Sequence, residues 1–100
     1  MSERWVVLIV DDSDEARADV RRDLLRGADR EYRFLEATTG AAALGLCQNF
    51  TPAAPTCVVL DYYLPDMDAL DLLNVSMEQG NSLYRNIVKT KFQVYREEAS

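Results

Sequence analysis

Histidine is absent from this chain of 100 residues. That removes Ser-His-Asp and Cys-His catalysis, histidine-ligated zinc and a histidine phosphocarrier role. Only two cysteines occur, Cys47 and Cys57. They make no disulfide framework, and a reduced compartment fits them. Basic residues are scarce, 11 Lys and Arg against 17 Asp and Glu, for a net charge of −6. That balance argues against binding nucleic acid or an anionic membrane, since both need basic patches. No apolar run approaches the ~20 residues of a membrane span. The first residues lack the basic, apolar and small-residue pattern of a secretory signal, so the cytoplasm is the expected location. The chemistry that is left runs on carboxylates, hydroxyls and amines.

What is present has globular proportions, with 48% apolar and 28% charged residues. A single domain of this length buries roughly 65% of the surface that its unfolded chain exposes. The composition changes near Leu73–Ser76. Arginine is the basic residue before that seam, and the two lysines, Lys89 and Lys91, come after it. The seam divides an α/β portion, residues 1–75, from a tail, residues 76–100.

The first portion alternates strand and helix patterns. Trp5–Val10 (WVVLIV) is continuously apolar and β-branched, as in a strand buried on both faces. A helix follows, for which Asp12 and Glu15 form a capping box. Ala16, Val20 and Leu24 give it one apolar face, and Gly27 ends it. Its arginines, Arg17, Arg21, Arg22 and Arg26, read as a solvated face. Tyr32–Ala37 is a second strand. Thr39 caps a short helix over Gly40–Asn49, and Thr56–Leu60 is a third strand. Leu64-Pro65-Asp66 makes a turn, and Asp68 caps a helix containing Leu70, Leu72 and Leu73. Trp5, Cys47 and Cys57 read as packing residues. Strands separated by helices require parallel pairing with right-handed crossovers. The doubly wound order 2-1-3 sets the first and third strands side by side.

In such a sheet, sites form outside the carboxyl ends of the strands. The first strand ends at Asp11 and Asp12, and the third at Asp61. Neighbouring strands lie ~4.8 Å apart, so three carboxylates crowd one crevice. They repel, and a cation relieves the repulsion. Hard oxygen ligands without His or Cys select Mg²⁺, Mn²⁺ or Ca²⁺ rather than zinc. A carboxylate beside such an ion is also a nucleophile that forms an aspartyl-phosphate.

These residues resemble the receiver domain of two-component response regulators. VLIVDDS at Val7–Ser13 and VVLDYYLPDMD at Val58–Asp68 carry the resemblance, which covers about residues 5–73. It implies a flavodoxin-like parallel sheet. It implies that Asp11 and Asp12 help to hold Mg²⁺, that Asp61 accepts the phosphoryl group of a histidine kinase or phosphotransfer protein and joins the metal ligands, and that the backbone carbonyl of Tyr63 completes them. It implies no enzyme activity beyond Mg²⁺-dependent self-phosphorylation and dephosphorylation. Helix 1 is the surface on which such partners dock in the family. The chain departs from the pattern in three places. Ala69 stands where the family usually has a glycine, which predicts a strained or reshaped turn. The family's fourth strand ends in a switch hydroxyl, for which Thr90 within Asn86–Thr90 is the candidate, flanked by Lys89 and Lys91. The family's fifth strand ends in a lysine, and the chain shows no pattern for that strand.

Periodicity in the tail favours a helix. Tyr84, Ile87, Val88, Phe92 and Tyr95 recur at helical spacing, with Ser76 and Gln79 as a capping box at its start. The expectation is therefore that strands 4 and 5 are missing or replaced by a C-terminal helix. The third strand is then an open edge. The helix covers it, or a second chain does, which predicts a homodimer, with segment exchange as one route. Two functions follow, a phosphoacceptor receiver or a phosphorylation-independent dimerisation and protein-binding module on the same scaffold. A phosphatase of the haloacid-dehalogenase type wants a second Asp two residues after the nucleophile, where Tyr63 stands.

Overall fold

A computed structural model describes residues 4–27, 30–48, 57–80 and 87–90, the last four by their backbone. Four strands and three helices alternate along them: β1 (Arg4–Val10), α1 (Asp14–Leu25), β2 (Glu31–Ala37), α2 (Gly40–Gln48), β3 (Cys57–Leu60), α3 (Ala69–Glu78) and β4 (Ile87–Thr90). The strands form one parallel sheet in the order β2-β1-β3-β4. The expected α/β class and the 2-1-3 order are observed.

Strand β1 is central because both of its faces are apolar. Leu8 and Val10 point into a core shared with α2 and α3, which includes Ala43, Leu44, Cys47, Val58, Leu60 and Leu72. Val7 and Ile9 point the other way, onto Cys57 and the half-buried Val20 and Leu24 of α1. Residues of opposite parity in a strand face opposite sides, so a strand with a helix layer on each face must be apolar throughout. Both cysteines are free thiols within these cores. Burial pushes the Cys47 thiol up to about 11, which keeps it protonated at neutral pH.

The ends of the elements refine the sequence reading. Ser13, not Asp12, caps α1, accepting the Ala16 N–H at 3.1 Å. Gly27 follows the helix with φ +67, as expected of the residue that ends it. Thr39 caps α2 and Asp68 caps α3, as expected. Ala69 starts α3, buried, and none of the described non-glycine residues has a positive φ. The turn before α3 therefore holds alanine without the expected strain.

The tail requires a larger correction. Helix α3 runs through the seam to Glu78, so Ser76 is buried inside it and does not cap a new helix. Strand 4, expected to be missing, is present. Its backbone pairs with β3 where the periodicity predicted helix. An unpaired strand edge offers a row of free N–H and C=O groups, and the β-branched Ile87, Val88 and Thr90 suit an extended backbone. Pairing with that edge outranks a local helical pattern. Strand 5, the aromatic positions Tyr84, Phe92 and Tyr95, and the rest of the 76–100 tail lie outside the described residues.

Candidate functional site

The carboxyl ends of all four described strands are level. Val10 stands opposite both Ala37 of β2 and Leu60 of β3, and Leu60 stands opposite Thr90 of β4. The residues that leave the sheet next to one another are therefore Asp11 and Asp61. Their peptides extend the ladder by one step, with the Asp11 N–H donating to the Ala37 carbonyl at 3.0 Å and the Asp61 N–H to the Val10 carbonyl at 2.9 Å. Both side chains are buried, with Asp11 8% and Asp61 6% exposed. Asp12 follows on the exposed side of the loop.

One carboxylate oxygen from each of Asp11, Asp12 and Asp61 lies within 4.8 Å of the others. The three acids expected to converge do so. Carboxylates at this spacing repel one another, and a cation among them relieves the repulsion. The set is all oxygen, which fits a hard divalent ion such as Mg²⁺, Mn²⁺ or Ca²⁺. Asp11 is also locally preorganised, since its Oδ1 accepts the Ser13 N–H at 3.0 Å.

The loop after β3 is built to hold a fixed shape. The Leu64 N–H donates to the Met67 carbonyl, the Ala69 N–H donates to the Tyr62 carbonyl at 2.7 Å, and Tyr63 forms an antiparallel bridge with Asp68. Tyr63 thus has a fixed backbone, while its ring is 75% exposed and packs edge-on against Tyr62. Asp66 anchors this loop to a second element. Its two oxygens accept the Gly40 and Ala41 N–H groups at 2.8 and 3.0 Å, at the start of α2. The bond from Gly40 above all holds the Asp66 carboxyl below its usual range. A Cβ at Gly40 would lie 2.6 Å from the Met67 sulfur, so a larger residue there would displace the Met67 side chain.

Thr90 ends β4 in register with Leu60, one residue before Asp61. The register shifts between Val58 and Val59, and continued unshifted it would set Lys89 opposite Leu60. Such a bulge re-aims the residues beyond it. The candidate switch hydroxyl is therefore on a strand that ends beside the acidic site.

Two groups escaped the sequence reading. Arg17 is not on a solvated face. It donates to the Asp11 carbonyl at 2.7 Å and to Glu36 at 2.8 Å, and it pairs with Asp14. The Glu36 bond, more than any other, raises the guanidinium further above its usual range. Arg21 also reaches Glu36, at 2.6 Å. The signal lay in the 2-1 strand order, which sets Glu36 beside Ile9 and so beside the helix that follows β1. Arg22 and Arg26 do form the expected solvated face, paired with Asp19 and Asp23. Trp5 is half-buried under the Arg30 guanidinium, 4.2 Å from its ring centre.

No protein-family model and no curated protein matches this chain. Solved structures do. The response regulator MaeR bound to beryllium trifluoride is 20% identical, with a TM-score of 0.69 over 87% of this chain and 67% of that one. The bacteriophytochrome response regulator AtBRR is 20% identical, with a TM-score of 0.70 over 97% of this chain and 76% of that one. The non-phosphorylated HemR receiver domain from Leptospira biflexa is 31% identical, with a TM-score of 0.53 over 74% of this chain. This chain spans 55% of that HemR chain. The first two likenesses are of fold, and HemR adds likeness of sequence. In its fold and its strand order, the chain is similar to the response regulator receiver domains.

Proposed function

We propose that this chain accepts a phosphoryl group on Asp61 from a histidine kinase or phosphotransfer protein, with Mg²⁺ held by Asp11, Asp12, Asp61 and the Tyr63 carbonyl. The observation that supports this reading most is the convergence of three carboxylates within 4.8 Å at the ends of two adjacent strands. A bound divalent cation would draw charge off the phosphoryl oxygens and lower the repulsion met by an anionic nucleophile.

The chain's own residues do the rest. A carboxylate oxygen of Asp61 attacks phosphorus in line, forming an O–P bond as the N–P bond of the donor phosphohistidine breaks and its electron pair returns to the imidazole. Burial of Asp61 limits the access of water to the acyl-phosphate. Asp11 and Asp12 hold the charge that the metal balances. Thr90, at the end of β4, is the switch hydroxyl of this reading. The chain performs no other chemistry, and its partners are proteins. The β3 edge on which the expected homodimer rested is taken by β4.

Acetyl phosphate with Mg²⁺ is expected to add one phosphoryl mass to the intact chain. The adduct should be labile to hydroxylamine and lost in Asp61→Asn. An intact mass unchanged by the phosphodonor would overturn the proposal and leave the phosphorylation-independent module. Size measured with and without beryllofluoride reads the dimer in the same samples.

A further inference from the structure

We propose that Arg17 is a positioning residue for the acidic site, its guanidinium fixing the Asp11 backbone so that the Asp11 and Asp12 carboxylates stay in the arrangement a divalent cation needs. The inference rests on the metal-binding reading above and adds to it a residue outside the ligand set.

Arg17 differs from its helix neighbours. Its side chain is 11% exposed, whereas those of Arg22 and Arg26 are 63% and 75% exposed. It joins three elements, through the Asp11 carbonyl at the end of β1, Glu36 on β2 and Asp14 at the start of α1. The planar fork of a guanidinium reaches several acceptors at fixed angles, which an ammonium does not. Arg21 donates to the same Glu36 oxygen as Arg17. Asp11 is thereby tied at both ends of its residue, its N–H to Ala37 on β2 and its C=O to Arg17.

The need for such a tie follows from the site's charge. Three carboxylates at this spacing push the β1–α1 loop away from Asp61. A cationic side chain beside a cation site opposes the metal by simple Coulomb repulsion. Its hydrogen-bond geometry works the other way, by holding two ligands in place before the metal arrives. The two effects have opposite signs, so metal affinity distinguishes them.

The test is calorimetric titration of Mg²⁺ into the full chain, its Arg17→Lys variant and its Arg17→Gln variant, each checked for fold by circular dichroism. Losing a partner that orients a metal ligand typically weakens binding about 10- to 100-fold. Both variants are expected to bind Mg²⁺ about ten-fold more weakly or worse. Arg17→Lys keeps the charge and loses the fork. Should Arg17→Gln fail to fold, the lysine variant alone decides. Parental affinity in Arg17→Lys, or tighter binding in Arg17→Gln as charge removal alone predicts, overturns the inference. A parent chain that takes up no Mg²⁺ instead overturns the metal reading on which it rests.

Discussion

Asp66 lies outside the acidic trio yet decides how the loop after Asp61 is held. Its carboxylate meets the first N–H groups of α2, where a helix start leaves donors unpaired and the dipole favours negative charge. Asp66→Asn keeps the shape and removes the charge. At pH 7 it is expected to cost about 0.5–1 kcal/mol in denaturant unfolding, the low end of capping losses because the group is exposed. The pH dependence has a definite sign. The folded carboxyl titrates below its usual 3.8, so its contribution is complete above that value and disappears as pH falls through the lower folded pKa. The gap between parent and variant should therefore close in acid. A gap that persists below that pKa would mean that charge is not what holds the loop. Sequence alone did not reveal this role. The Asp68 cap was legible because its partner is three residues away, whereas Asp66 and Gly40 are 26 residues apart and meet only once the sheet is formed.

The legibility of each element depended on whether its neighbours were needed to define it. Strand β1 could be read because six apolar residues in a row have few other uses in a short chain. Helices α1 and α3 declared themselves by apolar spacing and a cap, although α1's first cap was misplaced by one residue. β4 was not legible as a strand. Ile87 and Val88 suit helical spacing with Tyr84 and Tyr95 as well as they suit a strand, and what selects the strand is the β3 edge, a long-range partner. The seam in composition near residue 75 was no structural boundary, since α3 crosses it. The assignment of β4 is checked by NMR. The Cα shifts of Ile87–Thr90 should move in the strand direction, with slowed amide exchange at the residues paired to β3. Helical shifts there would restore the C-terminal helix and remove Thr90 from its place beside Leu60.

At the scale of the molecule, the domain gathers like charges at one end of a sheet whose central strands, β1 from Trp5 to Val10 and β3 from Cys57 to Leu60, are apolar. Two carboxylates within 4.8 Å of each other repel by roughly 1 kcal/mol or more in water and by about 3.5 kcal/mol or more at an effective dielectric of 20. A domain of this size has only about 5–15 kcal/mol of net stability, so the site draws on a meaningful part of it. Functional sites commonly hold such strain, and removing it stabilises the fold while abolishing the function. Asp61→Asn, which relieves two of the three repulsions, is therefore expected to raise the thermal midpoint in EDTA by several degrees, since about 1 kcal/mol moves a domain of this size by ~4–8 °C. Millimolar Mg²⁺ should reverse the order. A ligand that binds only the folded state stabilises it by mass action, so the parent gains with metal while the variant, short of one ligand, gains less. The same midpoint for parent and variant in EDTA would show that the acids are too well solvated to strain the fold. The cation would then have little repulsion to relieve, and the acids at the ends of β1 and β3 would owe their closeness to the register of the sheet alone.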